Sequence, residues 1–166
     1  MQKVTPFLWF DDKAEEAAEF YVEVFHNRPG GSPGGESKIG NVARYGEAGP
    51  GTPGAAMTVS FVLEGLEFTA LNGGPEFAFT EATSFHVSCD SQDEVDHFWK
   101  ALTDGGEESQ CGWLKDRYGL SWQIVPTRLH ELLGDPDPGR AQRAMQAMLQ
   151  MQKLDIAEME RAADAA

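Results

Sequence analysis

The side chain in this sequence best suited to chemistry is His86, which lies in the predicted strand Ser84–Cys89. Because side chains alternate along a strand, His86 and Ser88 share one face, and the apolar residues between them share the other. An imidazole titrates near neutral pH, so His86 suits an acid, a base or a hydrogen-bond donor in a pocket. A histidine satisfied by a neighbouring strand remains an equal alternative.

Further polar candidates occur on three other predicted strands. Ser121 and Gln123 alternate with Trp122 and Ile124, so Trp122 is predicted to face the helices. Thr69 has the same strand parity as Glu67. Trp113 precedes a Lys115-Asp116-Arg117 turn that we interpret as a solvated charged face, and its own ring is predicted to line a pocket.

The first half of the chain supplies one set of elements to position these residues. A strand over 5–10 is followed by a helix with apolar residues three and four apart, with Asp12 as its predicted N-cap. The Gly/Pro-rich segment 27–36 predicts a loop. Strands are predicted over 37–45, 56–63 and 66–71, and the last ends in a turn at Asn72-Gly73-Gly74-Pro75.

The second half repeats this order. A strand over 84–89 precedes a helix over 92–102 and strands over 109–115 and 120–125. A shift of 78 residues pairs Asp12 with Asp90 and Tyr21 with Trp99, and a shift of 54 pairs Gly65-Leu66 with Gly119-Leu120. A chance match between two amphipathic segments is the alternative to a true repeat.

Residues 127–166 differ in composition and predict a helical extension. Asp137 before Pro138 marks a helix start, and the helix is predicted to run to about residue 163. Four of the six methionines lie here. One apolar stripe, predicted to pack on the domain or on a second subunit, comprises Ala141, Met145, Met148, Leu149, Met151 and Leu154.

Composition excludes several classes of function. The 166 residues carry 13 Lys+Arg and 27 Asp+Glu, a formal charge of −14 that disfavours nucleic acid and anionic membrane surfaces as partners. No apolar run is long enough to span a bilayer, and Cys89 and Cys111 are too few for a disulfide framework. We therefore expect a cytoplasmic protein with reduced cysteines.

Several motifs in order resemble the vicinal oxygen chelate (VOC) superfamily of glyoxalases, bleomycin resistance proteins and dioxygenases. The resemblance is closer to its PhnB-like branch, labelled 3-demethylubiquinone-9 3-methyltransferase-like. The motifs are PFLWF, EEAAEFYVEVF, LNGGPEF and GWLKDRYGLSWQIVP, with the AMLQMQKLDIAEMERA tail. The resemblance implies an α+β fold with two βαβββ modules, about 1–75 and 80–126, in one domain over 1–126 whose curled open sheet forms a concave cup.

The resemblance also implies where a metal would bind. Metal-dependent members take ligands from the first and fourth strands of each module, and the two sequence shifts place Leu8, Thr69, His86 and Gln123 there. Leucine cannot coordinate a metal, and a threonine hydroxyl and a glutamine amide bind transition metals poorly. We therefore expect no metal cofactor, unless Glu67 or a partner chain completes the site.

The resulting prediction is a small-molecule binding protein that uses the cup without a catalytic metal. Its predicted ligand-binding residues are Leu8, Phe10, Glu67, Thr69, Asn72, His86, Ser88, Trp113, Ser121 and Gln123. The alternative is an enzyme of the glyoxalase or dioxygenase type, either metal-dependent or metal-free with His86 as the catalytic acid or base. A regulatory module that uses the Met-rich tail is a third possibility. Methyltransferase activity is disfavoured, because no Gly-rich nucleotide turn follows the first strand. The resemblance implies a homodimer.

Overall fold

The computed structural model describes residues 1–31 and 36–165 and divides the chain into two compact units. Unit 1 spans Met1–Phe79, and unit 2 begins at Thr80. Each unit has the order strand, helix, strand, strand, strand, and unit 2 adds three helices. The predicted α+β fold of two βαβββ modules is confirmed, with one four-stranded mixed sheet in each unit. Residues 32–35 of the predicted loop lie outside the described residues.

Unit 1 contains the first helix and a sheet of strand order β1-β4-β3-β2. The parallel pair is β1 with β4, and the other two pairs are antiparallel. The elements are β1 (Phe7–Phe10), α1 (Ala14–His26), β2 (Lys38–Arg44), β3 (Ala56–Leu63) and β4 (Leu66–Asn72).

Helix α1 packs on one face of this sheet through small and aromatic side chains. Ala14, Ala17 and Ala18 are fully buried, which lets the helix approach the strands closely. Tyr21 then meets Phe61 of β3, with ring centroids 6.1 Å apart. The apolar three-and-four spacing is thus the buried stripe of α1.

The start of α1 differs from the prediction. The N-cap residue is Lys13, not Asp12, and it makes no side-chain capping bond. The Oδ1 atom of Asn72 accepts the hydrogen bond from the Ala14 amide instead, at 2.8 Å. A residue 58 positions away thus satisfies one of the open amides of the helix, which local sequence rules do not detect.

Unit 2 repeats the arrangement with strand order β5-β8-β7-β6. Its parallel pair is β5 with β8. The elements are β5 (Ser84–Cys89), α2 (Gln92–Thr103), β6 (Glu107–Glu108), β7 (Trp113–Lys115), β8 (Ser121–Pro126), α3 (Thr127–Leu133), α4 (Pro138–Met148) and α5 (Ile156–Asp164).

The predicted strand over 109–115 is confirmed at Trp113–Lys115 and wrong over 109–112, because the chain turns between β6 and β7. Cys111 and Gly112 have φ angles of 57° and 86°, which a strand does not allow. Their amides donate to the carbonyls of Met151 and Gln152 at 2.9 and 2.8 Å, instead of to a neighbouring strand. The C-terminal extension therefore supplies the hydrogen bonds that this turn loses.

The single long helix predicted after Pro138 is also wrong. Helix α4 ends at Met148, and α5 begins after Asp155, whose side chain accepts from the Glu158 amide at 3.0 Å. The start at Asp137 is confirmed, because its carboxylate accepts from the Gly139 amide at 2.9 Å. The break divides the predicted stripe, so Met151 and Leu154 are buried while Leu149 is exposed.

The extension packs within unit 2. Val125 of β8 shares an apolar cluster with residues of α3, α4 and α5. The Gln92 side chain at the start of α2 donates to the Leu154 carbonyl at 3.0 Å and accepts from the Ile156 amide at 2.9 Å. None of the helices described here is long and apolar enough to cross a membrane.

Candidate functional site

The sheet of unit 2 has a helix-facing side and an open side. Val87, Cys89, Trp122 and Ile124 lie on the helix-facing side and are buried, which confirms the predicted core position of Trp122. The residues between them lie on the open side. Cys89 is among the packed residues, and burial raises the pKa of its thiol to about 12.

Register places the polar candidates of the open side in two rows. The first row contains Glu107, Lys115, Ser121 and Ser84, which are successive partners across the four strands. The second row contains Trp113, Gln123 and His86, which are successive partners across β7, β8 and β5. Ser88 lies beyond the second row, opposite Val125. The structure therefore brings together all five site residues predicted for this unit: His86, Ser88, Trp113, Ser121 and Gln123.

Gln123 links the two rows. Its Nε2 atom donates to Ser84 Oγ at 2.9 Å, which fixes the amide plane. Its carbonyl oxygen makes no hydrogen bond to any residue that the structure describes. That oxygen is available to a ligand donor beside the imidazole of His86, which is exposed.

Helix α3 adds a second imidazole that the sequence reasoning missed. The rings of His86 and His130 lie with centroids 6.0 Å apart and planes inclined by 33°. Helix α3 begins directly after β8, and its His130 lies against the imidazole of His86 on the open side. No spacing in the sequence connects residues 86 and 130, so only the fold could show this pair.

Charge concentrates at the first row. Lys115 forms an ion pair with Glu81, which lies just before β5. The hydrogen bond between them lowers the pKa of Glu81 and raises the pKa of Lys115. Glu107 lies near enough to raise the Lys115 pKa further. Lys115 is therefore a positioned cation and not the solvated turn residue that the sequence suggested.

Asp116 holds the β7–β8 turn that sets this register, and it too departs from the predicted solvated face. The carboxylate is only 3% exposed. Its Oδ1 atom accepts from the amides of Tyr118 and Leu120 at 2.8 and 3.1 Å, and its Oδ2 atom accepts from the Trp122 indole at 2.9 Å. The turn is thereby tied to the core of unit 2.

Unit 1 corrects the predicted site in its first strand. Leu8 is the register partner of Ala70, and Phe10 is the partner of Asn72. Both Leu8 and Phe10 are buried on the side that carries α1, so they are core residues and not ligand-binding residues. Phe7 is the partner of Thr69 and lies on the open side, 60% exposed.

The cause of this error is a single residue. The helices of the two units do correspond by a shift of 78, since α1 begins at Ala14 and α2 at Gln92. Three residues separate β1 from α1, however, and only two separate β5 from α2. The strands therefore correspond by 79, and a slip of one residue exchanges the two faces of a strand. The counterpart of His86 is Phe7.

Asn72 is the third correction. Its Oδ1 atom caps α1, and its Nδ2 atom donates to the Ala56 carbonyl at 3.1 Å. Both polar ends of the side chain serve the fold of unit 1. Glu67 and Thr69 lie on the open side of that unit together with Phe7 and Trp9, and their role in ligand binding stays a prediction.

Neither open side, taken by itself, carries a cluster of metal ligands among the described residues. The positions corresponding to His86 and Gln123 in unit 1 are Phe7 and Thr69. Over 1–31 and 36–165, no three His, Cys, Asp or Glu side chains come together as ligands. A catalytic divalent ion requires about three or four strong donors.

The chain is similar in sequence to a known protein family. Residues 2–125 match the model of the 3-demethylubiquinone-9 3-methyltransferase family. The chain belongs to this family. The family match confirms the predicted resemblance to the PhnB-like, 3-demethylubiquinone-9 3-methyltransferase-like branch. No curated protein matches the chain.

Solved structures agree with the family assignment. The PhnB protein of Bacillus cereus, which carries the same methyltransferase name, is 35% identical, with a TM-score of 0.66 over 76% of this chain and 100% of that one. Protein PA1353 of Pseudomonas aeruginosa shares the fold at 19% identity, with a TM-score of 0.59 over 76% and 98% of the two chains. The family match ends at residue 125, so helices α3 to α5 of this family member lie outside it.

Proposed function

We propose that this family member binds a small organic molecule on the open side of unit 2, without a catalytic metal. The observation that carries the proposal is the second row, where an indole, an amide and an imidazole stand side by side at Trp113, Gln123 and His86. Small-molecule sites combine apolar or aromatic surface with a few orienting polar groups. The unbonded carbonyl oxygen of Gln123 and the exposed ring of His86 supply those groups.

The proposal of a metal-free site rests on donor chemistry. The second row offers one imidazole and one neutral amide as metal donors, and neither offsets the charge of a divalent ion. His130 brings a second imidazole near His86, but the two still fall short of a three-donor set. Two free cysteines are consistent with the cytoplasmic location that we also propose.

An enzyme is the second candidate, and the His86–His130 pair is the observation that favours it. Two imidazoles on one face could divide the roles of acid and base in a metal-free reaction. In that case, His86→Ala would abolish turnover of the substrate. Retained turnover in that variant would exclude His86 as the catalytic residue.

The methyltransferase name of the family is not part of the proposal. A doubly wound nucleotide fold joins its first strand to its first helix through a Gly-rich turn. Here that link is Asp11-Asp12-Lys13, and each sheet contains one parallel pair of strands among the described residues. We propose instead that the family fold serves as a binding scaffold, with two subunits pairing as a homodimer.

The test is a thermal-shift screen of aromatic and hydrophobic compounds, followed by titration of the best compound. Ligand binding to the folded state raises the melting temperature in proportion to RT ln(1 + [L]/Kd). We expect His86→Ala and Gln123→Ala to weaken binding by about tenfold each, the loss of one hydrogen bond of roughly 1.4 kcal/mol. His26→Ala is the matched control, because His26 is exposed on α1 of unit 1.

Two outcomes would contradict the proposal. One is the failure of every compound in the library to shift the melting temperature. The other is equal binding by the His86→Ala and His26→Ala variants, which would place the ligand away from the second row.

A further inference from the structure

A pocket opens at the β6 edge of the open side of unit 2, next to the second row. It adjoins the His86–Gln123 pair and shares Trp113 with the second row, while its polar groups belong to the first row and to the segments beside it. The lining of this pocket includes Glu81, Glu107, Glu108, Trp113, Lys115 and Ser121.

The first observation is a buried hydroxyl group without a partner. Ser121 is only 1% exposed, and its Oγ atom makes no hydrogen bond to any described residue. Strand register places it on the same side as Lys115 and Glu107, so the hydroxyl is directed into the pocket. Buried polar groups are normally hydrogen-bonded, and an unpartnered one calls for an explanation. A ligand atom that bonds to Ser121 would provide it.

The second observation is the charge of the lining. Lys115 is occupied by its ion pair with Glu81. Glu108 accepts from the Trp99 indole at 2.8 Å through one carboxylate oxygen. Glu107 makes no ion pair within the described part of the chain. Glu108 alternates with Glu107 on β6 and directs its carboxylate to α2. The carboxylates of Glu81 and Glu107 therefore face one ammonium group, so the pocket keeps an excess of negative charge and repels anions.

The third observation is the aromatic wall. Trp113 lines the same pocket and is half-buried, with its indole beside Lys115 and Ser121 on the open side. The face of an indole attracts organic cations and packs against apolar stems.

We infer that this pocket takes a small organic ammonium ion, a primary amine on an alkyl or arylalkyl stem. Its N–H groups donate to the Glu107 carboxylate and to Ser121 Oγ, and its stem packs on Trp113. This inference rests on the proposed function and gives it a ligand class. No bond is made or broken in the binding step.

The experiment uses the full chain and three probes with a common phenylethyl stem in calorimetric titrations. The probes are 2-phenylethylamine, 2-phenylethanol and 3-phenylpropanoate, which share one stem and differ in charge. We expect the amine to bind at least about tenfold more tightly than the alcohol, as a charge-assisted hydrogen bond implies, and the acid not to bind. Higher salt should weaken binding of the amine but not of the alcohol.

Variants locate the amine. Glu107→Gln keeps the size of the side chain and should weaken amine binding by about tenfold. Glu23→Gln removes the same charge from the exposed side of α1 in unit 1 and should leave binding within about twofold. Ser121→Ala should weaken amine binding while the melting temperature of the free protein stays equal or rises, because the variant loses an unpartnered hydroxyl.

Three results would overturn the inference. They are tighter binding of the acid than of the amine, equal effects of Glu107→Gln and Glu23→Gln, and binding of the amine that Ser121→Ala leaves unchanged. If neutral aromatic compounds bind in a His86-dependent manner while the amine does not, the ligand class is wrong and the proposed function stands. If neither kind of compound binds, both are wrong.

Discussion

Leu8 and Ala70 lie opposite each other in the parallel pair of β1 and β4, and both are buried beneath α1. Their neighbours Phe7 and Thr69 form the next pair and face away from the helix. Two adjacent residues of β1 thus have opposite environments. Leu8 is 6% exposed, and Phe7 is 60% exposed.

This relationship predicts different costs for two adjacent substitutions. Leu8→Ala should lower the free energy of unfolding by about 2–4 kcal/mol, since it leaves a cavity in the core. Phe7→Ala should cost below about 1 kcal/mol because the larger ring is mostly in solvent. Urea unfolding of both variants measures the difference. A greater loss from Phe7→Ala would reverse the assignment of the two faces.

Asp116→Ala should destabilise unit 2 by about 2–4 kcal/mol. The substitution leaves two backbone amides and the Trp122 indole without their acceptor in a buried turn. Asp104→Ala is the matched control, because its carboxylate is 81% exposed and pairs with Arg117 at the surface. Chemical denaturation should separate the two variants clearly, and similar losses would mean that the bonds of Asp116 contribute little.

Gly106→Ala should lower the free energy of unfolding by about 1–3 kcal/mol. A Cβ atom there would lie 2.1 Å from the Lys115 carbonyl oxygen, so β6 and β7 would have to separate. Gly46→Ala serves as the control, since no described residue other than its chain neighbours places an atom within 4 Å of the added Cβ. Thermal melting compares them. Equal melting temperatures would show that the β6 edge accommodates the added methyl group without a loss of stability.

The two cysteines should react at different rates with a thiol reagent at about pH 8. Burial raises the pKa of the Cys89 thiol to about 12, so hardly any reactive thiolate forms in the folded state. Cys111 is half-exposed and should react first. A colorimetric thiol assay should count one group in the native protein and two after unfolding. Two fast groups in the native protein would contradict the burial of Cys89.

The raised pKa of the Cys89 thiol also predicts a loss of stability at alkaline pH. The folded state holds the Cys89 proton more tightly than the unfolded state does, so its contribution to stability is complete below about pH 9 and is lost as the pH rises towards about 12. Cys89→Ala should flatten the stability profile in that range. A profile identical to that of the unsubstituted chain would exclude this contribution.

Removal of metal ions should leave the melting temperature of the protein unchanged. Because the second row offers an imidazole and a neutral amide, we expect EDTA to leave the melting temperature unaltered, and added Ni²⁺ or Zn²⁺ not to raise it. Differential scanning fluorimetry together with elemental analysis provides the measurement. If the protein contains a stoichiometric metal and a chelator lowers its melting temperature, the enzyme candidate is favoured.

Much of the fold could be predicted from the sequence because the spacing of apolar residues and the positions of glycine and proline are local signals. The alternation in 84–89 and 121–126 correctly separated Trp122 from Gln123, and the helical spacing located α1 and α2 within a few residues. These elements bury the face that their own pattern defines.

The errors occur where a distant part of the chain decides the local structure. Asn72 replaces Asp12 in capping α1, and the carbonyls of Met151 and Gln152 replace a strand partner at Cys111 and Gly112. In the candidate site, one extra residue before α1 reversed the faces of β1. His130 and the orphan hydroxyl of Ser121 depend on side-chain positions in three dimensions, which no spacing encodes.

The bonds from 111 and 112 to the C-terminal extension also bear on how the chain folds. During synthesis, β8 and the β7–β8 turn emerge well before residues 151 and 152. The amides of Cys111 and Gly112 therefore cannot form these hydrogen bonds until that later segment has been made. Gly112 is buried in the finished unit. The turn before β7 is therefore completed by a segment that is translated later, and in hydrogen exchange these two amides should open together with α4 and α5 as one cooperative segment.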